Sequence, residues 1–170
     1  MDKPKIYLET TMFSFFHEER TAPFYLEQKA LVRRVFELIK SGAYEPYTSP
    51  YATREIHSEQ NEGKREKMRA LVADFGITVL PITEETERLA ALYVREKAVA
   101  PAWATDAAHI AVAAYNGLDF IVSLNFAHIV RPWTIEKVRS VNARENYRPI
   151  GIYKPAEVLE IYEDGARLPE

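Results

Sequence analysis

Short apolar runs alternate with longer stretches of helical spacing from one end of the chain to the other, and this rhythm is the strongest constraint on its fold. Lys5-Ile6-Tyr7-Leu8, residues 44–48, Ile77-Thr78-Val79-Leu80, Phe120-Ile121-Val122 and Ile150-Gly151-Ile152-Tyr153 read as strands. Between them lie helices. One opens at Pro23 and stops at Ser41-Gly42, a second starts at Ser49-Pro50, where the serine caps and the proline takes the first helical position. Thr83 caps a third that ends near Pro101, and others cover residues 106–116, 135–146 and 155–162. Such an alternation calls for a parallel sheet covered on both faces, an α/β/α sandwich.

The middle of the chain is its most ordered part. Residues 106–116 are alanine-rich, with apolar Ala107, Ile110, Ala111 and Ala114 at helical spacing, and Asn116-Gly117 stops the helix before the strand at Phe120. Small side chains let this helix approach a sheet closely, so the polar residues Asp106, Asn125 and His128 stand out at the ends of the block.

With 170 residues the chain is read as one domain spanning residues 1–170, long enough to bury roughly two-thirds of its unfolded surface. It has no cysteine, which excludes disulfides, a thiolate nucleophile and cysteine-ligated metal. A cytoplasmic location fits, and no apolar run approaches a membrane span. The net charge of −3 argues against a broad basic surface for nucleic acid. A nuclease with a small, metal-charged site is still allowed.

Phosphate-loop, dinucleotide-binding and Gly-x-Ser-x-Gly patterns are absent. The histidines His17, His57, His109 and His128 show no paired spacing on one helix face, which gives a histidine zinc site weak support, and His109 and His128 are read as packing or hydrogen-bonding residues rather than ligands. What remains is carboxylate at element ends. Glu9 follows the first strand, Asn125 the fourth, and sites in parallel sheets form beyond the carboxyl ends of strands. If the first and fourth strands are neighbours, as in order 3-2-1-4-5, Glu9 and Asn125 converge, and Glu55 and Asp106 can project to the same end. Three carboxylates in one crevice raise one another's pKa unless a cation joins them, and magnesium or manganese is the natural partner.

Glu9-Thr10-Thr11, Ser49-Pro50 with Glu55, Asp106-Ala-Ala-His109-Ile-Ala and Ser123-Leu-Asn125-Phe-Ala-His128-Ile occur in that order over nearly the whole chain. Together they resemble the PIN domain family, in particular VapC-type toxins of bacterial and archaeal toxin–antitoxin pairs. The resemblance implies a five-stranded parallel sheet and a Mg2+- or Mn2+-dependent endoribonuclease. Carried onto this chain, Glu9, Glu55 and Asp106 are the acidic positions, with Asp106 and Glu9 as direct ligands and Glu55 binding the metal or positioning its waters. Glu9 stands where the family most often has aspartate. Asn125 takes the fourth acidic position and brings no charge, which favours one well-held ion over two. With Thr10 and Ser123 it is assigned to hydrogen-bond water or phosphate.

The resemblance also implies RNA as substrate and an antitoxin as partner. The surface offered to it is Phe13, Phe15 and Phe16 with the broad apolar face of the helix after Pro23, which serves a homodimer equally well. Two other readings stand beside this one: a PIN-like module for binding or assembly that has lost most of its catalysis, motivated by Asn125, and a metal phosphatase acting on small phosphoesters.

Overall fold

A computed structural model describes residues 2–167. Strands β1 (Lys5–Leu8), β2 (Glu45–Thr48), β3 (Thr78–Val79), β4 (Phe120–Val122) and β5 (Gly151–Tyr153) form an all-parallel sheet in the order β3-β2-β1-β4-β5. The sheet order is the expected one. Around it lie α1 (Thr10–Phe16), α2 (Pro23–Lys40), α3 (Pro50–His57), α4 (Glu62–Asp74), α5 (Glu84–Arg95), α6 (Ala104–Tyr115), α7 (Pro132–Arg144) and α8 (Pro155–Arg167).

Strand periodicity builds the two cores. In β1, Ile6 and Leu8 point to the face covered by α1, α2, α3, α4 and α8, while Tyr7 points to the face covered by α5, α6 and α7. Strand β4 repeats the pattern, with Phe120 and Val122 on the first face and Ile121 on the second. Ile6, Leu8, Ile121 and Val122 are fully buried, and each such side chain contributes about 1.5–3 kcal/mol of transfer free energy. The alanines of α6 do what their size allows. Residues 107–114 are buried without exception, as the helix lies between the sheet and α5.

Two elements differ from the sequence reading. Thr10, Thr11 and Ser14 read as caps of a turn after the first strand, followed by an aromatic cluster, but residues 10–16 form a two-turn helix whose cap is the Glu9 side chain. Its phenylalanines are not an external patch. Phe13 and Phe36 are fully buried, and Phe16 packs edge-on against Phe36 and Phe75 with centroids 5.0 and 5.9 Å away. The proposed docking surface therefore lies largely inside the first core, and the large exposed apolar side chains of α2 are Phe24 and Leu26 at its other end. The second difference is α4: the polar run Ser58 to Arg69 reads as a solvated helix and loop, whereas the helix extends to Asp74 and buries Met68 and Leu71.

Candidate active site

Register places the site. Leu8 pairs with Val122 across β1 and β4, and the Glu9 N–H donates to the Val122 carbonyl at 3.2 Å, so Glu9 and Ser123 leave the sheet side by side. Glu9 is only 3% exposed. Its Oε1 accepts from the Thr11 hydroxyl at 2.6 Å and from the Ser123 hydroxyl at 2.5 Å, and Oε2 accepts from the Thr11 N–H at 3.2 Å. A carboxylate at this helix start is favoured by the unpaired amides of the first turn. Ser123 is fully buried beneath Glu9, and its oxygen also accepts from the Asn125 N–H at 2.9 Å. These bonds make Ser123 a support for Glu9.

Two helices complete the crevice. Ser49 caps α3 after β2, and Glu55 follows on that helix with its side chain 43% exposed. On α6, Asp106 in the first turn and His109 three residues on share a face. His109 is fully buried, its Nε2 stands 2.8 Å from Glu55 Oε1 and 3.4 Å from the Thr10 hydroxyl, and its Nδ1 stands 2.7 Å from the Tyr7 hydroxyl. Tyr7 in turn meets the Ser49 hydroxyl at 2.6 Å. Burial pushes the Tyr7 hydroxyl far above its ordinary pKa, so it stays neutral and acts only as a hydrogen-bonding bridge.

Polarity can run either way through this chain of hydroxyls and imidazole. With the proton on Nε2, His109 donates to Glu55 and accepts from Tyr7. With the proton on Nδ1, His109 donates to the Tyr7 oxygen, Tyr7 donates to Ser49, and Nε2 presents a lone pair to the crevice. Tyr7→Phe deletes the bridge and leaves Ser49 Oγ and His109 Nδ1 without it, an expected stability loss of about 1–3 kcal/mol in urea unfolding. A midpoint equal to wild type would show that neither group depends on it.

Ligand atoms of Glu9, Glu55 and His109 all lie within 4.8 Å of one another. The residues fit a divalent cation: two carboxylates and one orientable imidazole converge, and the ion pairs of Glu55 and Asp106 among the described residues are with histidines rather than Lys or Arg. Asp106 belongs to the same crevice but not to this trio. Its Oδ2 is 3.3 Å from His128 Nδ1, and the Asn125 side chain stands near it. Burial raises the Asp106 carboxyl above the ordinary carboxylate range; His109, His128 and the Asn125 side chain pull it back, and the Glu55 charge raises it further. The Asn125 side-chain Oδ1 accepts from the His128 N–H at 3.0 Å and so helps close the turn after β4.

The sequence reading missed His109. Its test sought two histidines at helical spacing, whereas the informative spacing is Asp106 to His109, a carboxylate and an imidazole one turn apart.

Superposition on the crystal structure of Mycobacterium tuberculosis VapC20, a sarcin–ricin loop cleaving toxin, gives a TM-score of 0.51 at 15% identity, covering 68% of this chain and 86% of that one. The two chains share the PIN fold. At that identity the likeness is one of architecture. No protein-family profile matches the sequence, and no curated protein does. Within the PIN fold the crevice described above occupies the carboxyl end of the central strands β1 and β4, at the point where the winding direction changes. Among the described residues, no helix is long and apolar enough to cross a membrane.

Proposed function

We propose that the protein is a metal-dependent endoribonuclease, the toxin of a toxin–antitoxin pair. The observation that carries this is the convergence of Glu9, Glu55 and His109 beside Asp106 at the switch point of a PIN-fold sheet. In this reading Glu9, Glu55 and His109 hold the ion, with manganese favoured over magnesium because an imidazole is in the donor set. When bound, such an ion neutralises charge on the phosphate and makes water a better nucleophile. The chain's own residues do the rest. Thr11 and Ser123 hold Glu9 still, Tyr7 sets the His109 ring, and Asp106, steadied by Asn125 and His128, accepts the proton of the attacking water. Thr10, at the rim of the crevice, is the hydroxyl placed to meet a phosphate oxygen.

The single uncharged position, Asn125, supports one ion rather than two. Its side-chain oxygen carries no charge and already accepts from the His128 N–H, so the side chain is placed to serve Asp106. The partner in this reading is an antitoxin, the protein works in the cytoplasm as one PIN-like domain, and two copies form a homodimer. The deciding experiment is cleavage of a mixed RNA pool by purified protein over a manganese and magnesium series with an EDTA control. Cleavage that appears with metal and ceases in EDTA is expected. No cleavage at millimolar manganese, with a small phosphoester hydrolysed instead, would move the assignment to a phosphatase.

A further inference from the structure

The chain has two tryptophans, and both stand about half exposed, 49% for Trp103 and 53% for Trp133. They lie along one seam, where residues 97–103 meet residues 128–137. The Trp133 Nε1–H donates to the Lys97 carbonyl at 2.8 Å, and the Thr134 hydroxyl bridges the carbonyls of Ala98 and His128 at 2.9 and 3.1 Å. The inner end of this seam is the crevice. Trp103 stacks on His128 with ring centroids 4.2 Å apart and planes 20° from parallel, and His128 contacts Asp106. One indole face is thus covered by His128 while much of the ring stays in water, at the last step before the acidic cluster. Cations accompany the seam: the Lys137 ammonium sits 4.8 Å from the centre of the Trp133 ring, and Lys97 is exposed beside it.

A half-exposed indole forfeits much of the burial that makes tryptophan useful in a core. Holding it nearly parallel against an imidazole keeps it rigid, and a rigid, open aromatic face with cations further along the same seam is suited to receive single-stranded nucleic acid, base on ring and phosphate on charge. We propose that Trp103 is a base-stacking platform that selects which nucleotide of a single-stranded RNA lies beside the crevice, with Lys97 and Lys137 drawing the adjoining phosphates toward Trp133. The choice of RNA rests on the ribonuclease reading. The His128–Trp103 stack then continues into the substrate, and the phosphate attached to the stacked nucleotide is delivered to the side of the site where Asp106 stands.

The test is binding of a short fluorescein-labelled single-stranded oligoribonucleotide, intact or with one base removed at each position in turn, with calcium in place of manganese. Trp103→Leu keeps an apolar cover on His128 but has no π face. It should bind the intact RNA about tenfold or more weakly, and Trp103→Phe should recover most of the loss. One abasic position should weaken wild type by a similar factor and leave Trp103→Leu unchanged. As a reading that leaves Trp103 in place, Trp133→Phe has Trp103 as its sole tryptophan. Its fluorescence should be quenched by intact RNA and not by RNA lacking the critical base. Equal affinity of Trp103→Leu and wild type, equal abasic penalties in both, unquenched Trp103 fluorescence, or no RNA binding at all would overturn the platform; the first two would assign the exposed indole to a protein contact instead. Metal-dependent cleavage without this coupling removes the platform and keeps the ribonuclease. Coupling without cleavage in manganese does the reverse.

Discussion

Asp106→Asn is expected to cut RNA about 10²–10⁴-fold more slowly than wild type, the range for loss of a positioned general base, while binding manganese within a few-fold of it. The expected separation of the two effects comes from geometry. Asp106 lies outside the group of ligand atoms formed by Glu9, Glu55 and His109, and it is held by His128 and Asn125 instead. Asparagine has the same shape and still packs between them, but it cannot take a proton from water. Stability supplies an independent reading. Burial raises the Asp106 pKa in the folded protein, so without metal its charged form opposes folding, and that cost grows as pH rises from the ordinary carboxylate range through the raised value. In EDTA at neutral pH, Asp106→Asn should therefore unfold at an equal or higher urea concentration than wild type. The advantage should fade on acidification, where wild-type Asp106 takes up its proton in both states. Manganese affinity that collapses along with cleavage would show instead that Asp106 is a ligand.

What the sequence could and could not say divides along physical lines. The fold class was legible because it depends on patterns with a fixed period: short buried strands between capped helices, and an alanine block that fits only against other elements. The sheet order came with the resemblance to PIN domains, since no period encodes which strands are neighbours. The end of the sheet that carries the site was legible because Glu9 and Asn125 each follow a strand directly. Side-chain roles within the crevice depend on register, which no local pattern encodes. The pairing of Leu8 with Val122 is what turns Ser123 under Glu9. The partnership of Tyr7 with His109 spans more than a hundred residues and crosses from a strand to a helix. His109 on an apolar helix reads as a packing or hydrogen-bonding residue, and it is fully buried; only the hydroxyl behind it and the carboxylate before it make it a candidate ligand. The aromatic run after Glu9 misled for a related reason. Composition can mark phenylalanines as a cluster, but whether they face water depends on α1 being a helix, and the cap of that helix is a site residue.

Glu9→Gln should be the more damaging of the two acid-to-amide changes, losing manganese affinity by more than about a hundredfold, beyond the range for groups that only support a ligand. The hydroxyls around Glu9 are committed as donors. Thr11 Oγ1 accepts from the Leu124 N–H at 2.8 Å and Ser123 Oγ accepts from the Asn125 N–H at 2.9 Å, so both direct their own hydrogens to Glu9 Oε1. The Thr11 N–H points at Oε2. A carboxylate satisfies three donors at once because it only accepts, whereas an amide must set its NH2 against either the two hydroxyls or the backbone N–H. The substitution thus removes a charge from the trio and buries an unsatisfied donor, at a stability cost of about 1–3 kcal/mol. Ser123→Ala isolates the positioning part of this effect. It keeps the Glu9 charge, removes one donor, and should weaken manganese binding by about 10–100-fold. Titration of the three proteins with manganese, followed by the loss of the free-ion paramagnetic resonance signal, orders them: wild type tightest, Ser123→Ala intermediate, Glu9→Gln weakest. If Glu9→Gln instead binds manganese like wild type, Glu9 is a helix cap and nothing more, and the ion must be sought between Glu55, His109 and Asp106.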